Sequence, residues 1–102
     1  MQYYQVLISA ENKEQAMHIL DTLLEKKLIL GGPILEGPAK FLWKGEIVEM
    51  NYAYILTYTT EKRKSAVIEE ATKASEEEVP MISFMPFEGN EALIKLIDQT
   101  LE

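Results

Sequence analysis

The 102-residue chain contains no cysteine. That excludes a disulfide framework, a thiolate metal site and a cysteine nucleophile, and it suits a reducing compartment such as the cytoplasm. Long apolar runs are missing too: nothing approaches the ~20 residues that a membrane-spanning helix needs. The first ten residues, MQYYQVLISA, place no basic region ahead of their apolar ones and do not read as a signal peptide. Basic residues are few, 10 against 17 acidic, and the net charge is −7. Nucleic acid is therefore not an expected partner, since its binding needs clustered Lys and Arg. Catalytic signatures are lacking as well: there is no G-x-S-x-G, no H-E-x-x-H and no P-loop. No enzymatic activity is expected. The rest of the composition is that of an ordinary globular chain, long enough for one core in one domain spanning 1–102.

Hydrophobic periodicity divides the chain. YYQVLIS (3–9) reads as a buried first strand. The next stretch turns helical, with Ala16, Leu20, Leu23, Leu24 and Leu28 on one face and His18, Asp21, Thr22 and Glu25 on the other. Asn12 suits the N-cap, and Lys26-Lys27 suit the C-terminal end. GGP (31–33) and EGP (36–38) then break the pattern. A strand over 34–43 that carries Pro38 belongs at a sheet edge or on a bulge. Phe41 and Trp43 share one face, Lys44-Gly45 makes a tight turn, and Ile47–Thr59 returns as a long strand. On it Tyr52, Tyr54, Leu56 and Tyr58 alternate with Ala53 and Ile55, so cover is expected on both faces. Thr60 can cap a second helix from Glu61 to about Ser75, with Val67, Ala71 and Ala74 inward. Glu76-Glu77-Glu78 reads as a solvated connection and 79–87 as a further strand. Gly89-Asn90 starts a last helix with Leu93, Ile97 and Leu101 on one side. The order β-α-β-β-α-β plus a C-terminal helix predicts an α+β, ferredoxin-like split βαβ fold: an antiparallel sheet with two helices on one face.

Few residues carry chemistry. His18 is the only imidazole and lies on a polar helix face, so it cannot build a closed metal site alone. Met81 and Met85 read as core or interface filler. Lys62-Arg63-Lys64 open the second helix, where the dipole disfavours cations. With the Thr59 and Thr60 hydroxyls and the free N–H groups of that helix start, Lys62 and Arg63 form a weak candidate anion site.

At Trp43-Lys44-Gly45 the sequence resembles the CutA family of divalent-cation tolerance proteins, and the resemblance runs along nearly the whole chain. Val6-Leu7-Ile8-Ser9-Ala10 resembles the family's first strand and turn. Ala39-Lys40-Phe41-Leu42-Trp43-Lys44-Gly45-Glu46-Ile47 resembles its S-x-Y-x-W-x-G-x-I. Thr59-Thr60 match its paired threonines, Glu78-Val79-Pro80-Met81-Ile82 its E-V-P-x-I, and Gly89-Asn90 its G-N. The resemblance implies a non-enzymatic homotrimer in which the central hairpin reaches across to neighbouring subunits, with Phe41, Trp43, Tyr52 and Tyr54 at the interface. It implies a role in tolerance or homeostasis of divalent cations, copper among them. The family's metal-liking positions are altered, however. Its cysteines fall on Ile8 and Gly31, its histidine on Ser75, and the Pro-Tyr after that histidine on Glu76-Glu77. Copper, which wants thiolate, thioether or imidazole donors, is thus implied by resemblance alone and without a ligand set. Two alternatives stand beside this reading: a PII-like sensor that binds a small molecule or anion between subunits, suggested by Lys62-Arg63-Lys64, and a purely structural trimer.

Overall fold

The computed structural model describes residues 2–102. Four strands form one antiparallel sheet in the order β2-β3-β1-β4. β1 (Tyr3–Ala10) is central, and Tyr4, Val6, Ile8 and Ala10 point to one buried face. β2 (Ile34–Trp43) is an edge strand, where the missing N–H of Pro38 is tolerated. β3 (Glu46–Thr60) returns from it through Lys44 and Gly45, whose φ values are 50° and 84°. Positive φ at both central residues is what a two-residue type I′ turn requires, and Trp43 pairs directly with Glu46 across it. The fourth strand, β4 (Ile82–Pro86), is shorter than the expected 79–87. It pairs with β1 from Ile82 to Pro86, and the regular ladder stops at Met81, whose carbonyl still accepts the Ser9 N–H but whose own N–H goes to the Ser9 hydroxyl.

Two crossover helices cover one face of the sheet. α1 (Lys13–Glu25) begins at Asn12, whose Oδ1 accepts from the Gln15 N–H at 2.9 Å. It ends in a Schellman arrangement: Lys27 takes a left-handed φ of 54°, Lys27 N–H donates to the Leu24 carbonyl, and Leu28 N–H donates to that of Leu23. Its buried stripe is Ala16, Ile19, Leu20 and Leu23. Leu24, expected inside, is exposed, because Ile19 holds the centre of the stripe and turns Leu24 to its margin. The second crossover opens with a 3-10 turn, Glu61–Arg63, and continues as α2 (Lys64–Ala74). Thr60 sits at its start, yet its hydroxyl caps nothing; it accepts from the Arg63 guanidinium at 3.0 Å. Val67 and Ala71 of α2 join Val6, Ile8, Ile19, Leu23 and Ile55 in the core.

α3 (Glu91–Leu101) is capped by Asn90, whose Oδ1 accepts from the Leu93 N–H at 3.1 Å. Its Asp98 accepts from the Tyr3 hydroxyl at 2.9 Å. Tyr3 points away from its neighbour Tyr4, so α3 lies over the opposite face of the sheet. Ile97 and Leu101 are buried there, outside the main core.

β1 pairs with β3 only from Ala53 to Thr60. Residues 46–52 have β2 alone as a partner, so the hairpin runs on as a two-stranded arm. The radius of gyration, 14.1 Å, records it, against about 13 Å for a compact domain of this length. The cover expected on both faces of β3 is therefore found only in its second half. On the arm Leu42 and Ile47 are 78% and 75% exposed.

Candidate functional site

Alternation gathers the arm's aromatics on the face that carries α3 at its other end. The Phe41 and Tyr52 rings meet edge to face at 4.8 Å between centroids, and Tyr52 meets Tyr54 in the same way at 5.6 Å. Tyr52 is 5% exposed within the single chain, Tyr54 is half-buried and Trp43 is 41% exposed. Phe41, Trp43, Val48, Met50 and Tyr52 form one side of a groove of about 510 Å³, with Glu77, Val79 and Met81 opposite. Lys44 places its ammonium 5.3 Å from the Trp43 ring centroid and 3.2 Å from the Glu78 carboxylate.

At the root of the arm lies a polar cluster that hydrophobic patterning alone does not reveal. The Ser9 hydroxyl donates to Glu77 Oε1 at 2.7 Å, and the Tyr52 hydroxyl donates to Glu77 Oε2. The Met81 N–H donates to Ser9 Oγ at 2.8 Å. Glu76-Glu77-Glu78 is thus not simply a solvated connection: Glu77 turns inward and is half-buried. Two features of the sequence could have hinted at a polar partner here, a serine inside an apolar strand and a tyrosine whose hydroxyl needs one when buried, though neither names Glu77.

Burial, and then the hydrogen bond to Glu77, hold the Tyr52 phenol well above the usual range. Tyr3 and Tyr4 are raised in the same direction, chiefly by their hydrogen bonds to Asp98 and Glu61. A folded chain that holds these protons more tightly than the unfolded chain is stabilised below pH ~10, and that contribution is lost as pH rises beyond it. The urea midpoint is accordingly expected to fall between about pH 9 and 12, and to fall less in Tyr52→Phe. Equal slopes in the two proteins would contradict the assignment.

Of Thr59, Thr60, Lys62 and Arg63, the last three meet in one groove and Thr59 lies apart from them. Thr59 is fully buried and its hydroxyl donates to the Leu28 carbonyl at 2.7 Å. Thr60, Lys62 and Arg63 line a groove of about 550 Å³, but Glu61, Asp98 and Glu102 line it with them. The two cations thus share their groove with three carboxylates, which oppose an anion.

A family model described as CutA1 divalent ion tolerance protein matches residues 4–100. The chain belongs to the CutA family. It is 35% identical over 78 residues to a divalent-cation tolerance protein CutA of Thermotoga maritima, a match covering 76% of this chain and 77% of that one. Among solved structures, the periplasmic divalent cation tolerance protein CutA from Archaeoglobus fulgidus superposes with a TM-score of 0.85 at 26% identity, over 98% of this chain and 99% of the other. CutA1 from Oryza sativa superposes with a TM-score of 0.91 at 19% identity, over 98% and 94%, which speaks for the fold alone.

The three positions on which the resemblance would put the family's cysteines and histidine have packing or hydrogen-bonding roles in this chain. Ile8 is 1% exposed in the core. Gly31 holds φ 95°, and its N–H and carbonyl both bond the Thr57 hydroxyl. Ser75 ends α2, and its Oγ accepts from the Glu77 N–H at 3.1 Å. His18 is exposed on α1. Among the described residues no group of three or more His, Asp or Glu side chains is placed to hold a metal ion.

Proposed function

We propose that this CutA-family protein acts in divalent-cation tolerance, as a non-enzymatic homotrimer assembled through the β2–β3 arm. The family match across residues 4–100 carries the reading. The arm supports the assembly: a two-stranded ribbon with Leu42 and Ile47 largely exposed and Trp43 partly so is an edge and an apolar surface that a neighbouring subunit would cover. Threefold closure is an ordinary way to do so.

Copper enters through resemblance alone. Within one chain the soft donors are five methionines and one exposed imidazole, a poor set for a resident soft-metal site. The PII-like reading leaned on Lys62 and Arg63, and the carboxylates beside them speak against an anion there. The absence of cysteine suits the cytoplasm. The periplasmic Archaeoglobus relative indicates that family membership does not dictate the compartment.

Growth under metal excess tests the proposal. Cells deprived of the protein are expected to become more sensitive to at least one divalent cation, and the wild-type chain and His18→Ala are expected to restore growth equally. Unchanged sensitivity to every divalent cation would reject the tolerance role and leave an assembly without a ligand.

A further inference from the structure

We propose that residues 75–81 form a strap that fixes the pitch of the β2–β3 arm against the body of the protein, with Glu77 as its clasp. The premise is mechanical. Beyond Ala53 the arm is a two-stranded ribbon, and such a ribbon is marginal in water without outside support. The strap supplies that support at both ends of the arm. At the root, one carboxylate oxygen of Glu77 takes the Ser9 hydroxyl of β1 and the other takes the Tyr52 hydroxyl of β3. Near the tip, Glu78 pairs with Lys44 in the hairpin turn at 3.2 Å. Between these points Val79 and Met81 face Phe41, Trp43, Val48 and Met50 across the groove.

The strap is itself anchored to the body. Glu76 N–H donates to Gln15 Oε1 on α1 at 3.0 Å. Met81 is tied to Ser9 twice: its N–H donates to Ser9 Oγ at 2.8 Å, and its carbonyl accepts the Ser9 N–H at 2.9 Å. Ser9 therefore donates its hydroxyl proton to the clasp and accepts from the strap's far end. The exposed Lys44–Glu78 pair contributes little by itself. The half-buried Glu77 cluster holds, because each hydroxyl there has one carboxylate oxygen to bond and charge-assisted hydrogen bonds are the strong ones. Release of Glu77 would let the arm swing and widen the groove under Trp43. The proposal does not depend on the trimer.

The chain's only tryptophan reports on it. Glu77→Gln keeps the shape but removes the charge that strengthens both hydroxyl bonds. Tyr52→Phe keeps the ring contacts and removes one bond. In both variants Trp43 emission is expected to shift to longer wavelength. Amide exchange is expected to quicken about tenfold or more at 76–81 and 46–52, the scale set by losing a hydrogen bond to a charged group, while Val6, Ile8 and Ile55 keep their protection. Light scattering on the same samples separates this test from the trimer reading. Unchanged emission and exchange would overturn the proposal. So would faster exchange confined to 76–81 with the arm unmoved, or an equal rise throughout β1 that marks general destabilisation.

Discussion

Gly32→Ala is expected to destabilise the fold by about 3 kcal/mol or more, which lowers the thermal midpoint of a domain this size by roughly 12–24 °C. A Cβ at Gly32 would lie 2.0 Å from the Leu56 carbonyl oxygen and 3.2 Å from its carbon. Both are backbone atoms, so no side-chain rotation relieves the clash. The segment cannot simply withdraw, since Leu30 N–H bonds the Tyr58 carbonyl at 3.0 Å and Leu56 N–H bonds the Pro33 carbonyl at 3.1 Å, on either side of the glycine. The Thr57 and Thr59 hydroxyls hold the same connection through Gly31 and Leu28. Gly37→Ala is the control: a Cβ there meets nothing within 4 Å. Calorimetry of the two variants checks the prediction, and equal midpoints would refute it.

Trp43→Glu is expected to convert the proposed trimer to monomers while the circular dichroism of the fold persists. Trp43 lies on the arm, outside the buried core, so its loss spares the packing of α1 and α2 on the sheet. In a threefold assembly the change is made three times. Each copy forfeits a ring worth roughly 2 kcal/mol when fully buried and puts a carboxylate near Glu11, Glu77 and Glu78. Size-exclusion chromatography coupled to light scattering would show the change. An unaltered mass would place the interface elsewhere and remove the arm from the assembly.

Much of the architecture was readable from local signals. Lys44-Gly45 announced a two-residue turn because positive φ is a backbone demand that few residue pairs meet. Pro38 restricted β2 to an edge or a bulge because it lacks an N–H, and the sheet has it at an edge. Where reading failed, a distant partner decided. The strand over 79–87 was cut short where the Met81 N–H leaves the ladder with β1 for the Ser9 hydroxyl. Leu24 and Ile19 are both strongly apolar, and only the seat of the helix on the sheet chose between them. The Glu77 clasp joins residues 68 and 25 positions away in sequence, and a run of three glutamates carries no mark of which one turns inward. The candidate cation cluster shows the converse. Lys62 and Arg63 form a weak anion-site candidate in sequence, and Asp98 and Glu102, which share their groove, lie far along the chain where local reading does not find them.

The aromatic arm joins these threads. It bears the residues expected at a subunit interface, it leaves apolar surface exposed in the single chain, and its root is fastened through Glu77, a position where the family resemblance implies a tyrosine. The most direct test is the mass of the purified protein by light scattering at neutral pH. The account predicts the mass of three chains of 11.7 kDa each; the mass of a single chain would contradict it.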